Sequence, residues 1–244
     1  MMKSPIFRNA LALALLPALL VGCQHFGEPR LDVQQSLVET RPADCVDGAR
    51  ECPLVNIDTL NFADEPVLNR LIDERLRRMT LNAPDDTLPP SLDHYRERFL
   101  REAKPGWSSY LQAKLRERIG SRVVIELSSY HYTGGAHGQP GRGFINFDLE
   151  QNRELKLADM LLPGKEGAFW RTVRQAHQRW LVANEHGSEF AQQWPFRQTS
   201  NIALLKDGVL LKYDVGSIAP YSGGHPEVWV GFGELKEVMR SEFR

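Results

Sequence analysis

Two stretches of the chain concentrate residue types that could do chemistry. The first runs Tyr130, His131, Tyr132, Thr133, Gly134, Gly135, Ala136, His137, Gly138. The second runs from Tyr213 to His225 and reads YDVGSIAPYSGGH. As a metal site, His131, His137 and His225 would supply imidazole nitrogens. As a hydrolase, one of them would act as base beside Ser217 or Ser222, with Asp159 or Asp214 completing the set. Spacing argues against both. A zinc site gathers three or four ligands, usually at recognisable local intervals, and the chain has neither a His-Glu-x-x-His nor a Gly-x-Ser-x-Gly motif. No enzymatic activity, metal or cofactor is therefore expected. Recognition suits these residues better. Glycine lets a backbone turn tightly or approach a partner closely, and tyrosine offers an apolar face with a hydrogen-bonding tip.

The elements that would hold these stretches can be read from hydrophobic period. Residues 54–60 suit a strand. Asp64 is placed to cap a helix with Pro66 in its first turn. Val67, Leu68, Leu71, Ile72, Leu76 and Met79 then fall on one helical face. Ser91 opens a second helix that buries Leu92, Tyr95, Phe99 and Leu100 and stops before Pro105. The period then shortens. Trp107, Leu111, Ala113 and Leu115 alternate with polar residues, and a strand rich in β-branched residues spans 123–133. A glycine loop over 134–143 leads to a strand at Phe144, Ile145 and Phe147 and a short one around Leu155 and Leu157.

The theme then repeats. Phe169, Trp170, Val173, Ala176, His177 and Trp180 line a long helix, where His177 reads as a satisfied core histidine. Lys206, Asp207 and Gly208 turn a hairpin between residues 202–205 and 209–213. A strand at Val228, Trp229 and Val230 and a short helix with Leu235, Val238 and Met239 close the chain. Helices followed by strands, twice, predict an α+β fold with helices packed on antiparallel sheet.

The N-terminus carries different information. Lys3 and Arg8 precede an apolar run over residues 10–21 that Pro17 interrupts. It is shorter than the about 20 residues that cross a bilayer. Leu20, Val21, Gly22 and Cys23 complete the pattern of a bacterial lipoprotein signal, which predicts cleavage before Cys23 and attachment of lipid to its thiol. Two or more acyl chains anchor stably. Gln24 stands where the inner-membrane retention signal has Asp, which points to the outer membrane, facing the periplasm.

Removing residues 1–22 leaves 222 residues and takes two cations and no acid, moving the formal charge from −1 to −3. That balance argues against general nucleic-acid binding. Nine acids face three arginines between Cys23 and Glu65, which predicts an acidic tether over residues 23–51. Cys45 and Cys52, exported to an oxidising space, are expected to form a disulfide.

Motifs also carry a resemblance. The run YHYTGGAHG, the later LKLADML over 155–161, and LLKDGVLLKYDVGSIAPYSGGHPEVWVGFGELKEVM over 204–239 resemble the RsiV-type extracytoplasmic domain family. Residues from Cys52 to about Thr80 are similar to the start of the domain ahead of the PdaC deacetylase's catalytic part. The resemblance divides the chain into a PdaC-like half over 52–157 and an RsiV-like half over 158–244, packed as one unit. It implies a sensor-like domain that binds lysozyme or a peptidoglycan-associated protein, here on a lipid anchor. No counterpart of those relatives' anti-sigma segment, transmembrane helix or deacetylase domain is expected in these residues. Carried over by motif, the shared surface comprises Tyr132, Thr133, Gly134, Gly135, His137, Pro220, Tyr221 and Gly224. The competing readings are fold-defining turns, and docking to another envelope protein through a sheet edge.

Overall fold

A computed structural model of the chain describes residues 31–45, 51–83 and 85–244. The expected signal peptide and Cys23 lie outside the described residues. Among the described residues nine strands form two sheets. The larger has the order β1-β2-β3-β4-β5-β6, built from β1 (Val33–Thr40), β2 (Leu54–Phe62), β3 (Ser108–Ile119), β4 (Arg122–Tyr132), β5 (Gln139–Asp148) and β6 (Arg153–Glu154). The smaller is β7-β8-β9, from β7 (Ile202–Leu205), β8 (Gly208–Lys212) and β9 (Glu227–Gly231). The fold is α+β as expected, with one departure from an antiparallel sheet. β2 and β3 run parallel, because two helices intervene and carry the chain back to the same end.

β1 corrects the tether expected over 23–51. Residues 33–40 pair antiparallel with β2, from Val33 opposite Phe62 to Thr40 opposite Val55. Leu37 and Val38 are 63% and 36% exposed. Of its three apolar residues only Val33, at one end, packs on the core, so no period marks the strand in the sequence. Its ladder comes from the backbone of β2. The expected disulfide joins Cys45 and Cys52 just ahead of β2.

Helix α1 (Pro66–Arg78) begins at the proline, with Glu65 rather than Asp64 at its N-cap. Leu68, Ile72 and Leu76 are its buried stripe. Arg75, Arg77 and Arg78 fill its last turn, where cations oppose the negative end of the helix dipole. In α2 (Leu92–Glu102) the Ser91 hydroxyl accepts the His94 N–H at 3.0 Å, a direct N-cap. Both helices cover one face of the large sheet. The core there includes Val55, Ile57, Tyr95, Leu111, Val123, Ile125, Ile145 and Phe147.

The 134–143 loop is shorter than expected. The ladder resumes at Gln139 opposite His131 and continues through Gly143 opposite Leu127. The fourth strand is also shifted, from Leu155 and Leu157 to Arg153–Glu154, because Leu157–Met160 form the short helix α3. Asp159 accepts the Lys156 N–H at 2.7 Å and thereby caps α3.

Helix α4 (Glu166–Ala183), followed by α5 (Ser188–Gln193), packs on the small sheet around a second core of Phe169, Val173, Leu204, Leu211, Tyr213 and Val230. The chain ends in turns of 3-10 helix at Phe232–Leu235 and Ser241–Phe243, not in the expected α-helix. A seam of Val124, Ala203, Leu205 and Leu210, with Phe144 against it, joins the two sheets. Asn146 stitches that seam. Its side-chain amide donates to Ile202 C=O and its carbonyl accepts Leu204 N–H, both at 2.7 Å.

Candidate functional site

The two singled-out stretches become two loops, and they meet. Residues 133–138 connect β4 to β5, and residues 213–226 connect β8 to β9. The Tyr221 ring stacks on His137, with centroids 4.8 Å apart and planes 22° from parallel. The Tyr221 hydroxyl donates to Gly138 C=O at 2.9 Å. Within the first loop the Tyr132 hydroxyl donates to Gly135 C=O at 3.1 Å. Gly134 and Gly135 have φ of 99° and 96°, which side chains resist, so this turn needs both glycines. In the second loop Pro220 leads a 3-10 turn over Tyr221–Gly223, and the Gly224 N–H closes on Tyr221 C=O at 3.0 Å.

Thr133, Gly134, Gly135, His137 and Tyr221 are exposed, while Tyr132, Pro220 and Gly224 are half-buried. Tyr130 and Tyr110 extend the surface. The Tyr130 ring lies where a Cβ on Gly138 would stand, 2.3 Å from its nearest ring atom. Tyr110 sits opposite Tyr130 in the ladder, with ring centroids 6.3 Å apart. Their exposures of 40% and 37% match the 40% of Tyr221. The outcome is two ring pairs, Tyr110 with Tyr130 and Tyr221 with His137, each touching Gly138 through one tyrosine.

Two of the three candidate histidines, His131 and His225, are tied to backbone carbonyls inside the fold. His131 is buried in β4, with Nε2 at 2.9 Å from Met79 C=O. That carbonyl can only accept, so Nε2 carries the proton and Nδ1 accepts from Ser109 or Tyr95, at 3.0 and 3.2 Å. Burial lowers its pKa against the opposing effect of the Met79 bond. The same burial pushes the Tyr95 phenol up to about 12. His225 Nδ1 donates to Tyr213 C=O at 3.0 Å, and burial, then nearby Arg142, lowers its pKa.

His177 is buried as expected but is not satisfied. Neither ring nitrogen has a partner, and it stacks on Trp180 at 5.7 Å. No described hydrogen bond joins Ser217 or Ser222 to a histidine. Among the described residues no three His, Cys, Asp or Glu side chains are placed to hold a metal.

A helix-covered sheet joined by a buried seam to a smaller helix-backed sheet, with paired loops as the most elaborated surface, defines a two-sheet α+β class of protein. The chain belongs to the DUF3298 family, described as proteins of unknown function; the family model matches residues 158–233. A DUF3298 family protein from Pseudomonas aeruginosa PAO1, known from its crystal structure, is 46% identical, with a TM-score of 0.82 over 88% of this chain and 97% of that one. A member from Bacteroides fragilis NCTC 9343 is 18% identical, with a TM-score of 0.68 over 86% of this chain and 94% of that one, and shares the fold. No match was found among curated proteins.

Proposed function

We propose that this protein is an outer-membrane lipoprotein anchored through Cys23, whose periplasm-facing domain is a binding module for a lysozyme-type muramidase or a related cell-wall component. The observation that carries this reading is the joining of the two loops by Tyr221, which stacks on His137 and hydrogen-bonds Gly138. Two segments remote in sequence thereby present one exposed aromatic surface. Aromatic rings with polar tips are the groups that dominate protein recognition. The RsiV-like and PdaC-like motifs support the choice of ligand. So does charge, since a net −3 mature chain attracts a basic muramidase.

The test is a titration of lysozyme into residues 24–244 at low and at physiological salt. Saturable binding that persists in salt and is lost in Tyr221→Ala is the expected result. Binding that vanishes with salt, or survives the substitution, would remove this reading. Palmitate labelling of the wild type and of Cys23→Ser tests the anchor separately. Docking to another envelope protein is the second reading, favoured by β5, which β4 pairs from Gln139 to Asp148 but β6 pairs only at Phe147 and Asp148.

A further inference from the structure

Strand β5 is paired on one side only for most of its length. Its β4 side is laddered from Gln139 to Asp148, whereas β6 pairs only with Phe147 and Asp148. The Leu155 N–H donates to Asn146 C=O at 2.7 Å, which shows that the Asn146 peptide groups face away from β4. Alternate residues of a strand share that direction, so the N–H and C=O groups of Phe144 and Arg142 face the same open side. Pro140, next in the series, has no N–H to offer, as befits an edge position. Residues 140–144 are all half-buried rather than covered.

This edge is not flat surface. It lines a cleft of about 560 Å³. The charges in the cleft are Arg75, Arg142 and Lys156 against the one carboxylate of Glu154. Glu154 is already engaged by both Arg75 and Lys156. The Arg142 guanidinium bonds only the neighbouring Gly141 C=O, at 2.7 Å, and has no carboxylate partner among the described residues. Two positive charges are left over.

We propose that this cleft binds an extended acidic peptide, which adds to β5 as a further strand. The peptide backbone would pair with the open groups of Arg142 and Phe144, the mode by which sheet edges capture strands. Its carboxylates would meet Arg142 and Lys156, so charge selects the sequence that the backbone alone accepts indiscriminately. A basic protein such as a muramidase has the wrong charge for this cleft. The cleft shares no residue with the surface of Tyr132, Thr133, Gly134, Gly135, His137, Pro220, Tyr221 and Gly224, and the proposal does not rest on the muramidase reading given for that surface.

The probe is a labelled, end-capped peptide of alternating Glu and Val, six residues long, with Lys/Val and Ser/Val analogues, titrated into the mature chain carrying Cys23→Ser. The acidic peptide is expected to bind saturably and at least about tenfold more tightly than either analogue. Arg142→Gln and Lys156→Gln should each weaken it several-fold, and Tyr221→Ala should leave it unchanged. Hydrogen exchange at the Arg142 and Phe144 amides should slow on binding. Absence of binding, equal binding of the Lys/Val peptide, or binding without protection of those two amides would overturn the proposal. Loss of lysozyme binding in Tyr221→Ala alongside intact peptide binding would separate the two sites.

Discussion

Tyr221 and His137 lie ring on ring at 4.8 Å, although 83 residues separate Tyr221 from the Gly138 carbonyl that takes its hydroxyl. One side chain thus fastens the β8–β9 loop to the β4–β5 loop. Tyr221→Phe keeps the stack and loses the hydrogen bond, which costs about 0.5–1.5 kcal/mol at most. Tyr221→Ala loses both and should cost about 1–2 kcal/mol, since the ring is half in solvent. Urea denaturation reads the stability, and lysozyme titration reads the surface. Tyr221→Ala that binds as the wild type does would show that the two loops do not act together.

Asn146 does for the seam what Tyr221 does for the loops. Its amide satisfies Ile202 C=O and Leu204 N–H, which are buried where β7 meets β5. Asn146→Ala strands both groups away from water, and such groups cost about 1–3 kcal/mol each. A loss of about 2–4 kcal/mol is expected, together with faster exchange at the Leu204 amide. Unchanged stability would mean that water replaces the side chain.

Where side chains alternate between core and solvent, the sequence was legible. The stripe of α1, the Ser91 cap, the β7–β8 hairpin and the meeting strands β3 to β5 all follow from period and turn chemistry. β1 was not, because backbone pairing and not burial makes it. The Tyr110–Tyr130 pair was hidden for another reason. Counting back from the turn at Gly120 and Ser121 puts Tyr110 opposite His131. An irregularity between Leu115 and Glu117 shifts the register by one and brings the tyrosines together. The Asn146 stitch had no local signal, since it depends on where a strand from the other sheet arrives. Of the site, the loop residues were legible as a composition, but their contact was not.

His177 is 1% exposed and leaves two ring nitrogens without partners, against Trp180 and Phe196. Buried polar atoms without partners cost stability that an apolar side chain does not. His177→Leu should therefore stabilise the protein, by about 1–2 kcal/mol after the loss of the stacked ring is subtracted. A fall in the melting temperature instead would indicate that the stack on Trp180 outweighs the desolvated nitrogens.

Deleting residues 31–40 removes β1, keeps the Cys45–Cys52 disulfide and leaves the outer side of β2 unpaired from Val55 to Phe62. An exposed strand edge of that length pairs with other chains. The truncated protein should aggregate at concentrations where residues 24–244 stay monomeric in light scattering. Equal solubility of the two would show that β1 is not needed to blunt the edge.

His131, His177 and His225 all have pKa values lowered from the ordinary histidine range, each chiefly by burial. The sign of the pH effect follows. An unfolded chain takes up these protons near pH 6.5, whereas the folded chain resists them until lower pH. Protons then bind preferentially to the unfolded state. The stability is complete above about pH 6.5 and is lost as the pH falls from there through the lowered folded values. Urea midpoints measured from pH 7.5 down to 5 should decline over the lower part of that range. His177→Leu, with one such group fewer, should decline less steeply than the wild type. Parallel curves for the two proteins would remove His177 from the effect and leave it to His131 and His225.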